Sequence, residues 1–85
     1  LGHLEKLVNE FHDDAMVHFR REVRLRSDAD YQQVCCLFAG ISVKVTAWLM
    51  NKNENTIYHW RQRLYDKIKS SDFEYKNLYL KLIDK

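Results

Sequence analysis

The chain has 85 residues and a formal net charge of +2, and its length predicts one small domain. Hydrophobic residues make up 46% of it and charged residues 31%, a composition that excludes a disordered chain. It contains no proline and only two glycines, which excludes a sheet protein with many tight turns and favours a few helices. No apolar run approaches the roughly 20 residues that span a bilayer, and no signal peptide is visible, so we expect a cytoplasmic protein.

The N-terminal part of the chain has the pattern of one long helix. Apolar residues recur at gaps of three and four over residues 3–23, which predicts a helix that ends near residues 24–26. A second helix is expected over residues 28–39, because Ser27 can cap its first turn. Gly40 follows at the position where many helices end in a left-handed residue.

Two further helices are predicted on either side of the polar turn at residues 51–53. Ser42 is expected to cap the shorter helix, over residues 43–50, and Asn53 the longer one, over residues 54–69. The longer helix has an apolar stripe at helical spacing, which we assign to the core. The stripe consists of Ile57, Trp60, Leu64 and Ile68.

A last helix is predicted over residues 73–83, where Ser71 and Glu74 can form a capping box. The sequence therefore predicts an all-α domain of five helices. Its parts are an N-terminal helix within residues 1–26, a helix-turn-helix core over 27–69 and a C-terminal helix within 70–85.

The short and long helices around the polar turn have the layout of a helix-turn-helix, in which the second helix enters the major groove of DNA. Many outward side chains of the second helix can pair with base edges or contact phosphate. From this pattern alone, an amphipathic helix with a solvated polar face is an equal alternative. The outward residues are Glu54, Asn55, Tyr58, His59, Arg61, Gln62 and Arg63.

A set of motif residues favours DNA binding over that alternative. The set comprises Asp30, Val34, Leu37, the run Gly40-Ile41-Ser42-x-Lys44-x-x-Ala47, and Thr56-Ile57. With these residues, the segment over 27–69 resembles the DNA-binding domain of LuxR-type regulators. It is especially similar to a Bacteroidetes subgroup in which this domain ends longer regulators. The resemblance implies a helix-turn-helix domain without a wing, acting as the output domain of a bacterial transcription regulator.

Three positions depart from the family pattern. Thr46 stands where the family has an apolar residue on the inner side of the helix, and Val43 and Val45 replace the usual Asn and Glu. A buried hydroxyl costs about 1–3 kcal/mol unless it is hydrogen-bonded. We expect the Thr46 hydroxyl to bond a backbone carbonyl one turn back.

The implied partner is double-stranded DNA, and two sets of contacts are expected. The base-contact set is Asn55, Tyr58, His59 and Gln62. The phosphate-contact set is Ser42, Lys44, Thr56, Arg61, Arg63 and Lys67. Homodimerisation of the full-length protein is expected too. Because the chain begins at Leu1 rather than Met, we expect a fragment of a longer protein. The resemblance implies that an upstream sensor or repeat domain precedes it there.

No motif points to catalysis, a cofactor or a metal. The adjacent Cys35 and Cys36 suit neither a mutual disulfide nor a complete zinc site, and the four histidines lack metal-ligand spacing. No nucleophile elbow or glycine-rich phosphate loop is present. We therefore expect neither an enzyme nor a small-molecule substrate.

Charge is concentrated in two basic segments. Residues 20–26 hold four arginines against one glutamate, and residues 52–69 hold five cations against two acids. The first segment can touch flanking DNA phosphates, or it can close a helix C-terminus and solvate the surface. The sequence favours the second interpretation, because charge runs are commonly solvated.

Two rival functions stay open. Aromatic stripes on the first and last predicted helices are also typical of a protein-interaction or dimerisation module, for which the basic face would be incidental. Within the DNA-binding class, region four of an alternative sigma factor uses a helix-turn-helix with a similar motif.

Overall fold

The computed structural model describes residues 2–84, which form six α-helices and no strand. The prediction of an all-helical fold is confirmed. Six helices are present instead of five, because the first predicted helix is interrupted. None of the helices in this part of the chain is both long and apolar enough to cross a membrane. The helices are α1 (Gly2–Phe11), α2 (Ala15–Glu22), α3 (Asp28–Phe38), α4 (Val43–Met50), α5 (Glu54–Lys69) and α6 (Lys76–Ile83).

The predicted continuous helix over residues 3–23 is wrong at its middle. Asp13 and Asp14 adopt left-handed backbone conformations, with φ of 54° and 57°, which aspartate tolerates better than most residues. The Asn9 side-chain oxygen then accepts hydrogen bonds from the amides of Met16 (2.9 Å) and Val17 (3.2 Å). A side chain of α1 therefore caps α2. The spacing of the apolar residues continues across the break between the two helices, so the spacing alone does not reveal the break.

Helix α3 lies at the centre of the fold and packs against α1, α2, α4 and α6. Its residues 33–38 are all buried. As predicted, Ser27 caps it by accepting from the Asp30 amide (3.3 Å), and Gly40 ends it in a left-handed conformation with φ of 79°. The amide of Ile41 donates to the Cys36 carbonyl (3.0 Å), which completes a Schellman motif.

An aromatic cluster joins three helices around this centre. Phe19 of α2 meets the rings of Phe38 and Tyr79 edge to face, with centroids 5.6 and 5.2 Å away. Phe38 of α3 and Tyr79 of α6 are stacked, with centroids 5.8 Å apart. All three side chains are fully buried, so α6 closes the core over α2 and α3 by direct aromatic packing.

The α4–turn–α5 segment has the predicted bounds. The Ser42 hydroxyl accepts from the Val45 amide (3.2 Å), and the Asn53 side chain accepts from the Asn55 amide (2.7 Å). Asn51 takes a left-handed conformation, with φ of 54°, and ends α4. The start of each helix is therefore fixed by the side chain of the residue that precedes it.

Helix α6 begins three residues later than predicted, and the expected capping box is absent. The Ser71 hydroxyl donates to the Ile68 carbonyl (2.6 Å), so it belongs to the end of α5. The amides of Glu74 and Tyr75 donate instead to the carboxylate of Glu22 at the end of α2. The start of α6 is thus held by a residue from the other end of the chain.

Candidate nucleic-acid interface

Helix α5 packs against α4 and α6 and leaves one side in solvent. Ile57, Leu64 and Ile68 are its buried residues, at the predicted spacing. Trp60, assigned to the core from the sequence, is only half-buried and packs at the core's edge. The packing fixes which side of α5 faces outward.

Three polar side chains of the predicted base-contact set follow one line on this outward side. Asn55, His59 and Gln62 are exposed and are spaced by four and three residues, so they share one helix face. The fourth member, Tyr58, is 50% exposed and meets the His59 ring edge to face at 5.5 Å. The structure therefore brings the four residues together on one accessible surface, which we call the polar face of α5.

A basic flank runs along one side of the polar face. Thr56, Arg63 and Lys67 are exposed and spaced by seven and four residues, which places them on one edge of α5. Trp60 lies between them at the same edge, where it meets the core. The side chains of this flank are positioned beside the polar face and do not point into it.

The N-terminus of α4 forms the opposite flank. Val43 lines a cleft of about 380 Å³ together with Tyr58 and Gln62, so the start of α4 borders the polar face. Ser42 and Lys44, on either side of Val43, are exposed. The Ser42 hydroxyl oxygen accepts from the Val45 amide, and a hydroxyl that accepts can also donate its proton to an external acceptor.

Arg61 is placed differently from the other predicted phosphate-contact residues. Its side chain is half-buried, and its Nη2 donates to the Thr46 hydroxyl (2.8 Å) and the Ile41 carbonyl (2.9 Å). Burial lowers the pKa of the Arg61 guanidinium. The guanidinium therefore serves the contact between α5 and the start of α4, and the predicted carbonyl bond of Thr46 is replaced by this interhelical one.

The cations beside the polar face form no ion pair within residues 2–84, although Glu54 and Asp66 are also exposed on α5. The ion pairs found in residues 2–84 both involve Arg20, which contacts Glu5 and Asp28. Lys44, Arg63 and Lys67 are therefore cations without an acidic partner within 4.0 Å in this part of the chain. The surface can present three unpaired cationic side chains and several hydrogen-bonding groups to an anion.

Sequence reasoning missed two features near this surface. Trp48 is 80% exposed on α4, with Val45 and Leu49 also exposed beside it. Arg24 and Arg26 are exposed in the connection after α2, so the helix-closing part of the preferred interpretation applies to Arg20 and Arg21 in the last turn of α2 and not to them. The end of α2 at Glu22 could not be read from the apolar spacing, because Val23 continues that spacing and is buried.

Comparison with protein-family models, curated proteins and solved structures finds no match to the chain. Within residues 2–84, no three His, Cys, Asp or Glu side chains are grouped so that they could hold a metal ion. The functional argument therefore depends on the geometry and charge of the surface itself.

Proposed function

We propose that the chain is a sequence-specific binding domain for double-stranded DNA, with α5 as the recognition helix of a helix-turn-helix. The observation that carries this proposal is the exposed polar face of α5 with a cationic or hydroxyl-bearing flank on each side. A helix in the major groove has base edges in front of it and a phosphate backbone on either side. The order of side chains around α5 suits that environment.

The contacts assigned under this proposal follow the placement of each residue. Asn55, His59 and Gln62 can donate to or accept from base edges, and Tyr58 lies where it can contact a thymine methyl or the sugar edge. Phosphates on the two sides are assigned to the flanks. One flank is Thr56, Arg63 and Lys67, and the other is Ser42 and Lys44.

In the full-length protein, the proposed role is that of the output domain of a bacterial, cytoplasmic transcription regulator of the LuxR type. The LuxR-like motif residues at the start of α4 and α5 support this role. An upstream domain would receive the signal, and homodimerisation would place two copies of α5 on two half-sites. The proposal is one of binding and not of catalysis.

The test begins with selection of preferred duplexes from a random-sequence DNA library. Fluorescence anisotropy then compares a selected duplex with a scrambled one for the unchanged chain, Gln62→Ala and Lys67→Gln. Gln62→Ala is expected to lose about 1–3 kcal/mol on the selected duplex and little on the scrambled one, because a base contact is removed. Lys67→Gln is expected to weaken binding to both duplexes, because one phosphate contact is removed. The salt slope, which is the slope of log affinity against log salt concentration, should become smaller in magnitude by about 0.9.

Lys81→Gln is the matched control, since Lys81 is exposed on α6. It removes the same charge as Lys67→Gln and should leave the salt slope unchanged. Absence of binding by the unchanged chain at tens of micromolar and low salt would refute the proposal, because even non-specific DNA binders register there.

A protein-interaction module is the second candidate, and exposed apolar side chains favour it. Val45, Trp48 and Leu49 form an apolar stripe on α4, and Leu7 and Phe11 are exposed on α1. Such side chains are more common at protein interfaces than on a free surface. DNA binding that is weak and insensitive to Gln62→Ala would favour this candidate over the first.

A further inference from the structure

A surface cleft of about 540 Å³ separates the α2–α3 connection from the basic flank of α5. Arg24 and Arg26 line it from the connection, and Arg63 and Lys67 line it from α5. The two basic segments of the sequence, which are distant along the chain, therefore meet at one place. We call this feature the arginine cleft.

The floor of the arginine cleft is apolar. Leu25 and Trp60 line it and are both half-buried against the hydrophobic core. An apolar floor between cationic walls lowers the local dielectric, so each positive charge acts more strongly on an anion placed in the cleft than it would in open water. The long side chains can also extend their charged ends over this floor.

The charge of the arginine cleft is largely uncompensated. None of its four cations has an acidic partner within 4.0 Å in the described part of the chain, and Asp30 is the one carboxylate that lines it. Arg20, in contrast, is paired with Glu5 at 2.8 Å and Asp28 at 3.0 Å. The fold thus neutralises one arginine of the run and leaves the two at the cleft available to an external anion.

The connection that carries Arg24 and Arg26 is held in place. The Tyr31 hydroxyl donates to the Val23 carbonyl (2.7 Å) and accepts from the Leu25 amide (3.1 Å). The Arg20 guanidinium lies over the Tyr31 ring at 4.5 Å and restrains it in turn. Because the backbone is fixed before any ligand arrives, binding loses less conformational entropy than it would with a free loop.

We propose that the arginine cleft binds the phosphodiester backbone of the duplex, beyond the part of the groove that α5 occupies. This inference rests on the proposed function, because Arg63 belongs both to the cleft and to the basic flank of α5. A polyanion suits the feature better than a single free phosphate. The cations stand on two sides of an open cleft, and two of them, Arg63 and Lys67, also belong to the basic flank. Arg24 and Arg26 thus lengthen the DNA contact by about two phosphates.

The test compares the unchanged 85-residue chain with the Arg24→Gln, Arg26→Gln double variant in salt-dependent anisotropy titrations. The probes are the selected duplex and a scrambled duplex of equal length. The control is Arg21→Gln with Lys81→Gln, which removes two exposed cations that do not line the cleft. Circular dichroism and thermal unfolding establish that both variants are folded, as expected for exposed positions.

For the cleft variant, we expect the salt slope to fall by about 1.8 on both duplexes, about 0.9 for each lost phosphate contact. The ratio of affinities for selected and scrambled duplexes should stay unchanged, because phosphate contacts carry no base information. The control should keep the slope of the unchanged chain.

Equal slopes for the cleft variant and the control, with the unchanged chain still binding DNA, would overturn this inference and leave the proposed function intact. Failure of the unchanged chain to bind either duplex would overturn the proposed function and this inference together. The two failures are therefore distinguishable in one set of titrations.

Discussion

Arg61 connects α5 to the start of α4 through two hydrogen bonds from a single nitrogen. The Nη2 atom lies 2.8 Å from the Thr46 hydroxyl and 2.9 Å from the Ile41 carbonyl. Thr46 is fully buried, and its hydroxyl would be costly there without this partner. The buried hydroxyl of Thr46 is therefore accommodated by a second polar residue from the neighbouring helix.

This pairing predicts that substitutions at the two positions are not additive. Arg61→Met should lower the free energy of unfolding by about 2 kcal/mol, because a buried hydroxyl and a carbonyl lose a charged donor. Thr46→Val should lower it by about 1 kcal/mol. The double variant should lose less than the sum, with a coupling energy of about 1 kcal/mol, because no buried hydroxyl is left without a partner. Urea unfolding of the four proteins measures this cycle.

Arg63→Met serves as the control for the arginine substitution, because Arg63 is an exposed neighbour on the same helix. It should change the free energy of unfolding by no more than about 0.5 kcal/mol. Additive losses at Arg61 and Thr46 would show that the two side chains do not interact in solution.

At the level of elements, α6 depends on α2 for its start. The Glu22 carboxylate accepts the amides of Glu74 and Tyr75 and the hydroxyl of Tyr79. A negative charge at this end of a helix also interacts favourably with the helix dipole. His18, one turn before Glu22, stacks on the Tyr75 ring with centroids 3.6 Å apart. The first turn of α6 is thus held by side chains from the C-terminal half of α2.

Glu22→Ala is therefore expected to loosen α6 selectively. The free energy of unfolding should fall by about 1–3 kcal/mol, because two amides and the buried Tyr79 hydroxyl lose their acceptor. Relative to the unchanged chain, hydrogen exchange should accelerate at the first amides of α6 and stay nearly the same at the amides of α3. Glu10→Ala, at an exposed position of α1, is the control. A loss no larger than that of Glu10→Ala would contradict the capping role.

These caps explain which elements the sequence could predict. The starts of α3, α4 and α5 can be predicted from short local patterns. Their caps, Ser27, Ser42 and Asn53, each accept a hydrogen bond from an amide two or three residues ahead. Asn9 and Glu22 act across seven to 53 residues, and no local pattern reveals such partners. The starts of α2 and α6 were accordingly mispredicted.

The placement of some residues of the candidate site could likewise be predicted from local spacing, and the placement of others could not. The outward direction of Asn55, His59 and Gln62 follows from the spacing of the apolar residues on α5, so it could be predicted. The inward direction of Arg61 could not, since a long cationic side chain near the apolar stripe is normally solvated. The arginine cleft also escaped prediction, because it requires knowing how two distant segments pack.

At the scale of the whole molecule, the hydrophobic core contains three groups that can lose a proton. Cys35 and Cys36 of α3 and Tyr79 of α6 are all at most 1% exposed. Burial raises the pKa of Cys35 from the ordinary 9.0 to about 12, and it also raises the pKa of Cys36. Burial, together with the nearby Glu22, raises the pKa of Tyr79 as well. The folded chain therefore holds these protons at pH values where the unfolded chain releases them.

The contribution of Cys35 to global stability should consequently be constant below about pH 9 and fall as the pH rises from 9 toward 12, and that of Cys36 should change in the same direction. In that range the unfolded chain binds fewer protons than the folded one, so each thiol contributes a loss of up to about 1.4 kcal/mol per pH unit. Urea unfolding between pH 7 and 11, with a reductant present, measures the slope. A Cys35→Ala, Cys36→Ala variant should keep only the loss of stability that is due to Tyr79, which begins above pH 10. A flat profile for the unchanged chain would mean that the thiols ionise without unfolding, which a closed core around α3 does not allow.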